Sequence, residues 1–428
     1  MQEIFYNGNI FTNNEKKETA QAMLINDGAV VFVGQNEEIL QMKTDDTKVN
    51  DLKNRFVYPN LFCLKANVFQ MIDDKIKSAN KKPIIQIIEE DDENYEKFDN
   101  FDKYKDEYKK IEKQLIKKGV STIVELGIEK KEFCFWKMMS DKNLLEIDVV
   151  GYIDLVLAKK VMDNNCVTYR KYKNRFRVGG YYLKIDGKVH ELKAWFNKSY
   201  SGTKSHFGIS EQSGEQLYFL VKTALDERKQ IVFETNGDKA IEEVLLTLEE
   251  VEKKDKIENF YRPVLFGVNV VHKKLYDRIK HFDITLCFEI FDEQIQKSTK
   301  KFIGFFRRKH FHNYKKLIKS GVKLTMVDAH NKLQDLSMLA SELVYKKRKT
   351  DIHNSKNHVF FSDFTNIFAN IFYCNPALSC FDQDTKATIE TQKQANFFVL
   401  DKPILNSIFD NDFEKHVKSV YISGEKKY

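Results

Sequence analysis

The chain has 428 residues, 42% of them hydrophobic and 31% charged; this balance supports a sizeable core and excludes a disordered or collagen-like polymer. A net charge of +7, with lysine outnumbering arginine amid abundant Phe, Tyr, Ile and Asn, is too small for this length to be a nucleic-acid footprint. Six cysteines without a C-x-x-C pair indicate neither a zinc knuckle nor a disulfide framework, and no window approaches the roughly eighteen consecutive apolar residues of a membrane span, so a soluble, cytoplasmic protein with no nucleic-acid and no membrane partner is expected.

In chain order, Met1 to Gly8 has no basic leader followed by an apolar run. Short strands and turns begin there: Glu3–Tyr6, the Asn7-Gly8 turn, Ile10–Thr12, Ala22–Ile25, the Asp27-Gly28 turn, and Ala29–Val33 before Gly34. Eight strand-like apolar runs follow, at Phe56–Leu64, Ser121–Glu125, Ile147–Tyr152, Gly180–Ile185, Gln230–Glu234, Pro263–Val268, Ile284–Ile290 and Lys323–Val327. Glu89 to Glu107, dense in Asp, Glu and Lys, predicts a solvated loop leading into the first barrel helix. Helical spacing links the strands, as in Tyr104, Tyr108, Ile111, Leu115 and Ile116, and again in Ile241, Val244, Leu245, Leu248 and Val251. Strands alternating with helices predict an α/β fold, a (β/α)8 TIM-like barrel whose site is built at the carboxyl ends of its strands. Asn396–Leu400 and Val420–Ser423 return to strand-and-turn texture. Residues 1–55 and 386–428 are therefore expected to form one small β module beside a barrel of 56–385.

Three segments carry a resemblance. The first pairs Asn7-Gly8-Asn9-Ile10-Phe11-Thr12 with Ile25-Asn26-Asp27-Gly28-Ala29-Val30-Val31-Phe32-Val33-Gly34. The second is the strand Val57-Tyr58-Pro59-Asn60-Leu61-Phe62-Cys63-Leu64-Lys65-Ala66-Asn67, and the third the late run Ala387 to Asp401. In this order they resemble the amidohydrolase superfamily, in the branch of N-substituted formamide deformylase and related metal-dependent hydrolases. The resemblance covers nearly the whole chain and implies a barrel with a small β-sandwich-like module formed by both termini. It implies descent from hydrolases of carbon–nitrogen bonds other than peptides.

The family's first strand carries His-x-His, its fourth a lysine that is carboxylated to bridge two metals, its fifth and sixth a histidine each, and its eighth an aspartate acting as general base. The resemblance places Lys65 and Asn67 at the first two positions, Lys184 in Gly179-Gly180-Tyr181-Tyr182-Leu183-Lys184 at the third, then Glu234, Gly267 and Asp328. Only Lys184 and Asp328 keep the family's residue. The expectation is a lost binuclear centre with no cofactor, and all six positions converging at one barrel end. Lys184 should then remain an ammonium held by Glu234 or Asp328. About fifty residues separate Asn67 from Gly119, too few for the family's pocket-building insertion, so no substrate transfers.

Other readings stay open. Cys63, Asp186 and His330 are pocket candidates, Cys63 either as a thiolate beside Lys65 or as a buried structural thiol. Glu234, Asp328 and Asn67 offer oxygen ligands for a hard cation. An active hydrolase with a remodelled one-metal site (a divalent ion such as zinc) or a metal-free site around Lys184, Glu234 and Asp328 is the alternative to a binding or structural protein with a small-molecule ligand in the barrel mouth. His310-Phe311-His312 lies in the basic stretch Arg307 to Asn313; residues i and i+2 do not share a helix face, so a solvated basic turn able to touch an anion is predicted.

Overall fold

Alternating apolar residues between tight turns give the amino-terminal strands β1 (Gln2–Tyr6), β2 (Asn9–Phe11), β3 (Thr19–Ala20), β4 (Ala22–Asn26), β5 (Ala29–Gly34), β6 (Lys48–Asp51) and β7 (Phe56–Pro59). Asn7 and Asp27 take left-handed φ values of 53° and 48° in the turns, a conformation their short polar side chains tolerate. The structure, a computed structural model, describes residues 2–16, 18–79, 98, 100–158, 169–329, 335–344, 365–408 and 413–428.

The barrel strands are β8 (Leu61–Cys63), β9 (Val120–Ile128), β10 (Asp148–Asp154), β11 (Phe176–Lys184), β12 (Gln230–Glu234), β13 (Val264–Phe266), β14 (Thr285–Ile290) and β15 (Lys323–Asp328). They line up in sequence order in one eight-stranded sheet, parallel at every pairing, as a nearly closed TIM barrel. Helices cover the outside, so both faces of the sheet are buried and its strands read as continuous apolar runs. The helix Asp238–Asp255 buries Ile241, Val244, Leu245, Leu248 and Val251, the stripe its spacing predicts. The ends of the chain meet: β16 (Phe397–Leu400), β17 (Val417–Ile422) and β18 (Glu425–Lys426) join β7, β2 and β3 in a six-stranded sheet, while β5, β4, β1 and β6 make a four-stranded one. Phe5, Ile10, Met23, Val57, Phe397 and Val399 form the core of this module.

Two expectations are corrected. The run Phe56–Leu64 is not one barrel strand: Phe56–Pro59 pairs with β16, and only Leu61–Cys63 pairs with β9. The break falls at Asn60, whose backbone N–H donates to Asn396 O at 3.1 Å and whose side-chain Nδ2 donates to Tyr421 O at 2.8 Å. The chain is thereby anchored to the module just before it enters the barrel. The predicted loop Glu89–Glu107 lies outside the described residues at 89–97 and 99, but from Phe101 it is already the helix Phe101–Lys117. Aromatic packing explains this: Tyr104 stacks on Phe69 at 5.6 Å, and Phe98 and Phe101 lie against Phe135. Among the described residues no helix is long and apolar enough to cross a membrane.

Candidate functional site

Because every barrel strand is parallel, the residues ending the strands share one rim. Register sets Lys184 beside Glu234, Glu234 beside Phe266 and Ile290 beside Asp328. A cavity of about 360 Å³ opens there, with Lys65, Asn67, Tyr182, Lys184, Lys188 and Glu234 among its lining residues. Lys65, Asn67, Lys184 and Glu234 are thus brought together. Gly267 and Asp328 sit on the same rim outside the lining of that cavity. A Cβ on Gly267, at φ 78°, would lie 3.2 Å from Asn236 Oδ1, so its left-handed backbone favours glycine.

At the base of the cavity lies a closed array of charges. Lys188 Nζ donates to Glu234 Oε1 at 2.6 Å and to Glu289 Oε2, and Lys65 Nζ donates to Glu289 Oε1 at 2.6 Å. The Tyr182 hydroxyl donates to Glu234 Oε2. Beneath both ammonium groups lies the Phe266 ring, 5.1 Å from Lys65 Nζ and 5.3 Å from Lys188 Nζ. Burial disfavours the charged form of Glu234, yet the adjacent Lys188 ammonium and the hydrogen bonds hold its carboxyl down at about 2. Glu289 is also held low against burial, by Lys188 and then Lys65. Burial likewise opposes the charge on Lys188, and Glu289 and Glu234 raise it above the ordinary lysine range.

This array answers whether the divalent metal implied by the resemblance fits. All four carboxylate oxygens of Glu234 and Glu289 already accept from Lys188, Lys65 or Tyr182, and two ammonium groups occupy the space beside them. A divalent cation would meet positive charge and no open oxygen of this pair, so it does not fit. Among the described residues no group of three or more His, Cys, Asp or Glu side chains is placed to hold a metal ion.

The remaining positions depart from expectation in instructive ways. Lys184 is held by neither Glu234 nor Asp328: it pairs with Glu211 Oε1 at 2.9 Å with 45% of its side chain exposed. It shares a strand face with Tyr182 one step further along, so it reaches the outer rim while Lys188 takes the inner carboxylates. Strand β8 ends at Cys63, and Lys65 and Asn67 lie in the following turn, Asn67 with φ 49°; alternation does not aim them. Cys63 is the structural thiol: burial pushes it up to about 12, and Sγ lies 3.5 Å from Lys65 O. Asp328 Oδ2 accepts the backbone N–H of Asp335 at 3.3 Å. His330 lies outside the described residues. His312 is no part of a solvated turn; it is buried, stacked on Phe311 at 3.8 Å with Nδ1 3.5 Å from Glu342 Oε1, because the chain folds back there to pair Val270 with Phe311.

Asp186 is a loop staple. It accepts backbone N–H groups from Asn236 at 2.6 Å, Gly237 at 2.8 Å and Trp195 at 2.8 Å, while burial pushes its carboxyl up to about 7. Gly237 lets the two loops touch, since a Cβ there would fall 2.0 Å from Trp195 O. Gly237→Ala is expected to cost about 1–3 kcal/mol by forcing backbone apart, read by urea denaturation; an unchanged midpoint would show that the loops separate freely.

Sequence reasoning missed Lys188 and Glu289. Both left a signal: Glu289 is the lone charge inside the apolar run Ile284–Ile290, and Lys188 follows directly on Asp186-Gly187 at the end of the fourth strand. A charge in a buried strand needs a partner.

The sequence matches no protein-family model and no curated protein. Solved structures do match. An uncharacterized metal-dependent hydrolase from Pyrococcus furiosus superposes with a TM-score of 0.75 at 14% identity, over 94% of this chain and 99% of that one. One from Pyrococcus horikoshii OT3 gives 0.74 at 17%, over 97% and 100%. The chain has their fold. The A. niger ochratoxinase is similar at a TM-score of 0.61 and 12% identity, over 99% of this chain and 95% of that one. At such identities the likeness carries architecture and leaves each residue's role to the geometry above.

Proposed function

We propose that this chain is an amidohydrolase-superfamily barrel, of the formamide deformylase-like branch, in which ion pairs have replaced the metal centre and which acts as a binding or structural protein. The observation that carries the reading is Lys188 Nζ lodged between Glu234 and Glu289, with Lys65 completing the array. Two ammonium groups and two carboxylates neutralise one another where the resemblance puts cations. Water there keeps close to its bulk pKa, and a carboxylate is too weak a base to activate it. The alternative of a catalytic group formed by Lys184, Glu234 and Asp328 draws no support, because Lys184 turns to Glu211. The mouth cavity is the place for a small-molecule ligand.

Elemental analysis of purified protein, with an amide-hydrolysis screen in added zinc or manganese, tests this. The expected result is substoichiometric metal and no metal-dependent turnover of N-formyl or simple amide substrates. Near-stoichiometric metal with turnover abolished by Asp328→Asn would overturn it.

A further inference from the structure

Between residues 294 and 327 the chain carries ten Lys or Arg residues and no Asp or Glu, although acidic residues number 63 across the whole chain. The helix Glu293–Arg308 opens this stretch and packs against the loop after β11: Ser201 N–H donates to Phe302 O at 2.8 Å, and Arg307 donates to Lys198 O and Ser199 O, both at 2.8 Å. Gly304 breaks the helix with φ 74° and ψ 169°, beside Ser201. Directly after the break, Phe305 and Phe306 both project outward, 79% and 83% exposed. Their rings meet edge to face with centroids 5.8 Å apart, making one compact apolar knob. Lys301, Arg308 and Lys309 flank it and are exposed. On the adjoining loop Phe207 and Ile209 are exposed as well.

We propose that this face docks on an anionic phospholipid surface, with Phe305 and Phe306 entering the headgroup–acyl boundary and the flanking cations meeting lipid phosphates and carboxylates. Exposed aromatics ringed by Lys and Arg are the composition such an interface favours. This is attachment by a surface knob and requires no spanning helix. A nucleic acid would also satisfy the cations. The paired rings favour lipid, because rings locked edge to face form a wedge and offer no flat platform on which successive bases could stack.

The test is co-sedimentation of the full chain with vesicles of phosphatidylcholine and phosphatidylserine against vesicles of phosphatidylcholine alone. Wild type is expected to pellet with the anionic vesicles, less so as salt rises, and to stay in solution with the neutral ones. Phe305→Ser with Phe306→Ser should weaken partitioning roughly tenfold or more through lost apolar burial. Lys301→Glu with Lys309→Glu should weaken it by at least about fivefold per cation removed. All four side chains are exposed, and an unchanged thermal melt of each variant confirms intact folding. The proposal is overturned if wild type ignores anionic vesicles, if neither double variant changes binding, or if a single-stranded oligonucleotide binds tighter than the vesicles and displaces them.

Discussion

Lys188→Met is expected to lose about 3–5 kcal/mol of folding stability, because removing one member of a buried charge array leaves its partners uncompensated. Methionine nearly matches the volume of lysine, so packing is kept and charge is what changes. Glu234 would retain Tyr182, Glu289 would retain Lys65, and two carboxylates would face one another with a single ammonium between them. Lys65→Met should cost less, since of the two acids Lys65 pairs with Glu289 while Lys188 pairs with both. Urea denaturation at neutral pH reads both. A Lys188→Met loss under about 1 kcal/mol, the range of an exposed pair, would show that the array adds little to stability.

The same array should mark the acid limb of the stability curve. Glu234 has its carboxyl lowered from 4.5 to about 2 in the folded chain, so the unfolded chain takes up the proton first. The stability it contributes is fully present above 4.5 and is lost as pH falls through about 2. Glu289, also lowered, adds loss in the same direction. Asp186, raised to about 7, slopes the other way, its stability contribution falling as pH rises. The measurement is therefore a difference: wild type against Glu234→Gln from pH 6 to 2, in which the carboxylates outside the array cancel. The variant should start less stable and converge on wild type in acid. Parallel curves would mean that Glu234 titrates normally.

The fold was legible because its signals are local. Each parallel strand left an apolar run and two of the covering helices a spaced stripe, so Ile241 to Val251 could be placed before any contact was known. Asn60 was illegible for the opposite reason: its partners, Asn396 and Tyr421, lie at the far end of the chain, and nothing in Phe56–Leu64 reveals that two sheets divide it. The candidate site was half readable. The end of a strand locates Glu234 on the rim, but which cation crosses the barrel to meet it depends on how far each loop projects inward. Lys184, on the strand, was the natural choice; Lys188, four residues later in the loop, reaches the acids. His312 shows the same limit, since its burial follows from a reversal that pairs Phe311 with Val270, which charge pattern alone could not disclose.

The meeting of the two ends at Asn60 governs the order in which the protein can be completed during synthesis. Asn60 and its acceptor on Tyr421 are 361 positions apart, and β7 lies between β2 and β16. While the barrel is being translated, one side of β7 has no neighbour, and it stays a bare strand edge until Phe397–Leu400 has left the ribosome. Such an edge invites pairing with other chains. A chain truncated before Phe397 would lack the strand that covers that edge.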